Sequence, residues 1–322
     1  MWWRRLGAVV VAVVLVGGAL AIRSSLDDDE TSGGQTTRVV CITELADACR
    51  SAASGLGGME LSIADAGDTL DELSAAAGDA PIWVTLDPFP AMVDTARTTS
   101  GRDGLFASPT LVATSDLVVT VPDERIDVLR SHCGGQALWG CVGDAAGEPW
   151  ADIGGESAWG SVLPGIAPAD RSALGLLTFA GAVGGYFGDT SYSRTRWEAD
   201  PGFLPWVRRL TSSVPTEVIG DRSPLSVMLT RPSALNVAAT TSAELTAAGA
   251  TADRVASEYP APMVRADVIV AATSPEAVPS RFIDRLGEAL VDAGWDRGAA
   301  GPSASPSPGT MLALRDLWEQ LT

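Results

Sequence analysis

Two hydrophobic patterns divide the chain. From Leu6 to Ile22, seventeen residues pass without a charged or strongly polar side chain, between Arg4-Arg5 and the acidic run Asp27 to Glu30. At about 1.5 Å per residue the run makes ~25 Å of helix, the short end of what spans a bilayer. The leading arginines place the N-terminus inside, with Trp2 and Trp3 at the interface. The run reads as an uncleaved transmembrane anchor; the other reading is a signal peptide cut at Ala19-Leu20-Ala21. No cysteine directly follows to accept a lipid. Residues 1–35 are then a cytoplasmic stub, a single membrane span and an acidic linker, with the bulk of the chain extracytoplasmic at the cell membrane.

From Arg38 onward the pattern changes to short β-like runs alternating with helical ones, which makes an α/β domain. Strands are expected at Val39 to Thr43, Met59 to Ala64 and Pro81 to Leu86. Helices are expected at Glu44 to Ser54, Thr69 to Ala77 and Ala91 to Arg97. Three such units in a row predict a mainly parallel sheet. Leu111 to Val121 is long for one strand and is interrupted by Thr114, Ser115 and Asp116, so it reads as a crossing between two lobes.

A helix from Glu124 to His132, a disulfide loop and a Gly, Trp and Pro-rich stretch follow. Asp170-Arg171-Ser172 then precedes the strongest helix, with an apolar stripe through Leu174, Leu176, Leu177, Phe179, Val183 and Phe187 and an N-cap candidate before it. Pro224 to Leu229 and Leu235 to Ala239 read as strands, Ser242 to Glu258 as a helix, and Arg265 to Ala272 as a returning strand. Ser274-Pro275 opens a helical region with Phe282, Ile283, Leu286 and Leu290 on one face. The low-complexity linker Gly301 to Gly309 leads to an amphipathic helix, Met311 to Leu321, expected on the first lobe.

Forty acids against twenty-two basic residues, all arginine, give a formal charge of -18 and exclude nucleic acid as the partner class. Four cysteines form two pairs of identical spacing, Cys41 with Cys49 and Cys133 with Cys141, and formally permit three connectivities. Outside the membrane two local disulfides are the default. A metal site of these cysteines with His132 lacks the usual ligand spacing, and His132, the one histidine, reads as a surface residue at a helix end. No cofactor is expected.

Catalytic motifs are absent. There is no G-x-G-x-x-G, Walker or H-E-x-x-H pattern. Gly155-Glu156-Ser157-Ala158-Trp159 has tryptophan where a nucleophile elbow needs its second glycine, and Asp189-Thr190-Ser191-Tyr192-Ser193 follows a helix rather than a strand, so it reads as a polar loop. Small polar residues do recur at element ends: Thr43, Asp87, Thr114, Ser115 and Ser172. In open α/β sheets ligands bind outside the carboxyl ends of the strands, and helix N-termini offer free N–H groups.

RVVCITELADAC at the first strand and helix, PIWVTLDPFPAMV at the third, and ASPTLVATSDLVVTVP at the crossing carry a resemblance. PWADIGG, PADRSALGLLTFAGAVGGYFG and EYPAPMVRADVIVAA follow in the same order. Over residues 38 to about 295 the chain resembles bacterial extracellular solute-binding proteins of the type 2 periplasmic-binding fold, close to the molybdate- and sulfate-binding group. The resemblance implies lobe 1 from 36–113 plus 260–322, lobe 2 from 114–259, ligand between them, and closure by hinge motion. It also implies that Thr43, Asp87, Ser115 and Ser172 face the cleft, with Thr114 and Thr241 as further candidates. Asp87 puts a carboxylate where an oxyanion site would carry a hydroxyl.

The expected function is a non-catalytic, membrane-tethered protein that holds a small molecule or ion for uptake or sensing, with a permease or another envelope protein as partner. The alternative is an envelope scaffold that kept the fold without ligand, its eight tryptophans beyond the anchor lining an interaction surface. A hydrolase using Ser157, or Asp87 paired with Glu44, has no motif behind it.

Overall fold

A computed structural model describes residues 36–77, 80–298 and 305–322. The expected anchor, the acidic linker and Gly301 to Ala304 lie outside the described residues. No helix among the described residues is long and apolar enough to cross a membrane.

The strands are β1 (Thr37–Ile42), β2 (Met59–Ala64), β3 (Ile82–Leu86), β4 (Thr110–Pro122), β5 (Pro164–Gly165), β6 (Val237–Thr241), β7 (Val255–Glu258) and β8 (Arg265–Ala271). The helices are α1 (Ala46–Ala53), α2 (Ala66–Ala75), α3 (Phe89–Thr99), α4 (Ile126–Cys133), α5 (Leu138–Ala145), α6 (Ala173–Phe187) and α7 (Arg194–Ala199). They continue with α8 (Phe203–Ser212), α9 (Thr216–Ile219), α10 (Pro224–Thr230), α11 (Ser242–Ala248), α12 (Ser280–Asp292) and α13 (Pro308–Leu321).

The sheet order is β2-β1-β3-β8-β4-β6-β5, with β7 also on β4. Thr110 to Asp116 of β4 pair with β8, whereas Leu117 to Pro122 pair with β6 and β7. One thirteen-residue strand therefore passes from one half of the sheet to the other, as the interrupted apolar run predicted. The expectation of a mainly parallel sheet is corrected. β1–β3 and β5–β6 are parallel, but β3–β8, β4–β8, β4–β6 and β4–β7 are antiparallel. The outgoing crossing and its return lie side by side and run in opposite directions, which no βα repeat could reveal.

Local chemistry explains most elements. All five residues of β3 are buried, as befits a strand covered on both faces. α12 places Phe282, Leu286 and Leu290 on one buried stripe and packs on α1. α6 is apolar almost all round, with twelve of its fifteen residues buried and Ser172 as N-cap, its Oγ accepting from the Gly175 N–H at 2.9 Å. A Cβ on Gly185 would stand 2.7 Å from the Trp139 Cβ, so the glycine is what lets α5 approach α6 this closely.

Three sequence expectations change. Pro224 to Leu229 is helix α10, not a strand: Ser223 Oγ accepts from the Ser226 N–H, proline stands in the first turn, and Leu225 and Met228 share the buried face. Only Ser242–Ala248 of the long expected helix is α-helical; Val255–Glu258 becomes β7 because it can complete the edge of β4. The expected disulfide loop is largely helix α5, so the bridge clasps the last turn of α4 to α5. Both bridges are the local ones, Cys41–Cys49 and Cys133–Cys141. Each is worth about 2 to 3 kcal/mol in the chain-entropy account. The first closes the loop that carries Thr43 and Glu44.

Candidate functional site

A cavity of about 500 Å³ opens between the two halves, within the usual range for small-molecule sites. One wall is the 3-10 turn Thr43–Leu45 at the carboxyl end of β1, the start of α1, Asp65 at the end of β2, and Leu290, Ala293 and Trp295. The other is Leu117 of β4, the end of β6, and the N-terminal ends of α6, α10 and α11.

Three of the six expected ligand contacts meet here: Thr43, Ser172 and Thr241. The Thr43 hydroxyl donates to Asp65 Oδ1 at 2.8 Å. Ser172, the α6 N-cap, donates to Glu44 Oε1 at 2.8 Å, so that the carboxylate reaches across the cavity to the far wall. Thr241 is the α11 N-cap; its Oγ1 accepts from the Glu244 N–H at 3.0 Å and the residue is buried.

The other three do not line the cavity. Ser115 is buried behind the wall, its hydroxyl 2.9 Å from that of Ser242 and accepting from the Ala243 N–H at 3.0 Å. Thr114 donates to Asp267 Oδ1 at 2.6 Å and accepts from Arg265 Nε at 3.1 Å, while Arg265 also pairs with Asp267 at 2.8 Å. Asp87 joins that cluster, its N–H donating to the Asp267 carbonyl oxygen. Strand ends are shared between the cavity and the junction of the crossing strands, and the sequence does not distinguish the two.

Half-burial, then the nearby Asp267 charge, holds the Asp87 carboxyl above the usual carboxylate range. The folded state thus prefers the neutral acid. That preference stabilises fully below the unfolded pKa of about 3.9 and is lost as pH rises through the raised folded value. Asp87→Asn is therefore expected to raise the thermal midpoint at pH 7, with the advantage vanishing near pH 3.5. A midpoint lowered at pH 7 and insensitive to pH would refute this.

The carboxylates that line the cavity, Glu44, Asp47, Asp65, Asp221 and Glu244, were not among the expected contacts. Glu44 Oε1 also accepts from the Leu174 N–H at 3.3 Å, whereas Glu44 Oε2 is buried without a hydrogen-bond partner. Glu244 stands three residues after Thr241, the spacing of a capping box. Its carboxylate accepts instead from the Thr240 hydroxyl. Arg171 pairs with Asp65 at 3.7 Å and with Asp221 at 3.1 Å. Threonine followed by glutamate at a strand end, and T-x-x-E at a helix start, were visible signals.

The remaining candidates for chemistry fall away from the cavity. His132 is exposed in the last turn of α4 and Ser157 is exposed in a 3-10 turn. Asp189 Oδ1 accepts from the Ser191 N–H and hydroxyl while its Oδ2 is held by Arg196 at 2.6 Å, a self-contained polar loop. Asp87 and Glu44 do not form a pair, because only Glu44 lines the cavity.

No protein-family model matches the sequence, and no curated protein sequence matches it. Solved structures do match in fold. The periplasmic binding protein AfuA of Actinobacillus pleuropneumoniae, with fructose-6-phosphate bound, is 10% identical with a TM-score of 0.51, covering 88% of this chain and 95% of its own. Iron-bound HitA of Pseudomonas aeruginosa is 13% identical with a TM-score of 0.51, covering 88% of this chain and 99% of its own. At such identities the likeness shows the fold: a mixed α/β, two-lobed periplasmic-binding architecture.

Proposed function

We propose that this chain is a non-catalytic solute-binding protein that holds a small ligand between its lobes outside the cytoplasm, tethered by the apolar run Leu6 to Ile22, and hands it to a membrane permease or sensing partner. The observation that carries this reading is the ~500 Å³ cavity at the carboxyl end of β1 and the N-terminus of α6, where the two halves face each other. The lobes are taken as 36–113 with 260–322, and 114–259, and β4 with β8 as the crossings. AfuA, a periplasmic binding protein with fructose-6-phosphate bound, and iron-bound HitA are similar in fold, which supports the same use here.

Within the resemblance to the molybdate and sulfate binders, the finer ligand assignment finds the least support, since a carboxylate already sits at the helix terminus that would hold an oxyanion. The scaffold alternative leaned on tryptophans as an interaction surface. All eight beyond the anchor are buried or half-buried, so that support is gone.

The test is thermal unfolding of the full chain in a neutral detergent against sugars, amino acids, oxyanions and amines. A ligand at about 100 times its Kd is expected to add roughly 2.7 kcal/mol. Ala46→Trp, which fills the cavity from the first turn of α1, is expected to abolish the shift while leaving the unliganded midpoint within a few degrees. If no compound stabilises the chain, the solute-binding reading is wrong.

A further inference from the structure

We infer that the cleft takes an organic cation, an ammonium or guanidinium group on a partly apolar body, and that Glu44 both bars oxyanions from the α6 N-terminus and receives that cation; this rests on the solute-binding reading above. A helix N-terminus attracts an anion through its free N–H groups and dipole. Here that position is filled from within: Glu44 Oε1 takes the Ser172 hydroxyl and the Leu174 N–H. A second anion would meet a carboxylate where it needs donors.

The same carboxylate is half satisfied. Its Oε2 is buried and lacks a donor, and a buried acceptor left unpaired costs free energy that a ligand N–H recovers once the carboxylate turns toward the cavity. Among the described residues no arginine stands within ion-pair distance of Glu44 or of Glu244 on the opposite wall. The other lining acids are matched: Asp65 and Asp221 by Arg171, and Asp47 by Arg50 at 2.8 Å. Five acids against two arginines line the cavity. That leaves Glu44 and Glu244 facing it with only Arg222, exposed and donating to the Val218 carbonyl, as an unpaired cation at the rim.

Part of the lining is apolar. Leu117, Leu174, Leu290 and Trp295 line the cavity, which suits a hydrocarbon body and offers an indole face to a cation. The described residues hold no group of three or more His, Cys, Asp or Glu side chains able to ligate a metal ion, so two carboxylates in a partly apolar lining match an organic cation better than a bare metal. The charge of -18 on the chain raises the local concentration of cations at the mouth.

Calorimetric titration of the full chain in neutral detergent with putrescine, spermidine and choline, and in parallel with sodium sulfate and glucose, tests the inference. At least one amine is expected to bind, with sulfate and glucose silent. Glu44→Gln and Glu244→Gln, with near-ultraviolet circular dichroism as the check on folding, are each expected to weaken the amine at least tenfold. Glu44→Ala, which frees the α6 N-terminus, is expected to bind sulfate at least tenfold more tightly than the parent chain. Sulfate or glucose bound by the parent chain while all three amines fail would overturn the cation assignment and leave the solute-binding reading standing. Amine affinity unchanged in both glutamine variants would overturn it as well, by placing the amine elsewhere. Silence from every probe, together with silence across the broader panel of sugars, amino acids, oxyanions and amines, would overturn both.

Discussion

Gly67→Ala is expected to destabilise the folded chain by about 2 to 4 kcal/mol, the sum of an overpacking cost and a lost backbone hydrogen bond. Gly67 is the second residue of α2, and its N–H donates to the Arg171 carbonyl at 3.0 Å. A Cβ there would stand 1.9 Å from the Asp170 carbonyl oxygen and 3.0 Å from the Arg171 Cα. These are backbone atoms, so no side-chain rotation relieves the clash. α2 and the Asp170-Arg171 segment must separate, and the contacts beside them, Arg171 with Asp65 and Ser172 with Glu44, loosen together. Urea unfolding measures the loss, and scattering should show a larger radius of gyration if the chain relaxes by opening at this edge. A midpoint and radius equal to those of the parent chain would sink the prediction.

Trp318→Ala is expected to cost about 3 to 5 kcal/mol, the usual range for truncating a buried large aromatic residue. Trp318 is 2% exposed and meets the Phe179 ring of α6 edge-on at 5.2 Å between centroids. Its indole N–H has no partner, so removing it also removes one unsatisfied donor, which places the effect toward the lower end. The helix that carries it, α13, packs on α3 and α6. Arg315 pins it further, donating to both Asp71 carboxylate oxygens at 2.6 Å and to the Asp170 carbonyl at 2.9 Å. Loss of the tryptophan should free the last turns, so limited trypsin digestion is expected to cut at Arg315 early, releasing residues 316–322. Cleavage at Arg315 no faster than in the parent chain, with unchanged urea stability, would count against the role given to α13.

Glu44, α6 and the Cys41–Cys49 bridge form one mechanical unit. The bridge fixes the turn after β1, the turn holds Glu44, and Glu44 caps α6 from the opposite wall. Asp87 was expected to put a carboxylate at the cleft; the carboxylate that lines the cavity at the α6 N-terminus is Glu44. Asp87 follows β3 as Glu44 follows β1, so position relative to a strand end could not separate them. Only the order of strands in the sheet does: β3 lies against β8 at the crossing junction, while the end of β1 opens toward α6.

Wherever a pattern depends on neighbours in the chain, it was readable. The strands β1, β2 and β3, the stripe of α12, the cap at Ser172 and the equal cysteine spacing all arise from interactions within about ten residues, and the structure shows each of them. The crossing at Leu111 to Val121 was legible as well, because polar residues in mid-strand need a change of environment. What the tertiary structure alone decided is partnership across long separations. Val255–Glu258 became a strand because β4, more than a hundred residues earlier, offered it an edge. Thr43, Ser172 and Thr241 line one cavity, and Ser115, Thr114 and Asp87 do not, because a side chain's surroundings depend on what the folded sheet brings opposite it, and that pairing is set by the whole chain rather than by the residues alongside.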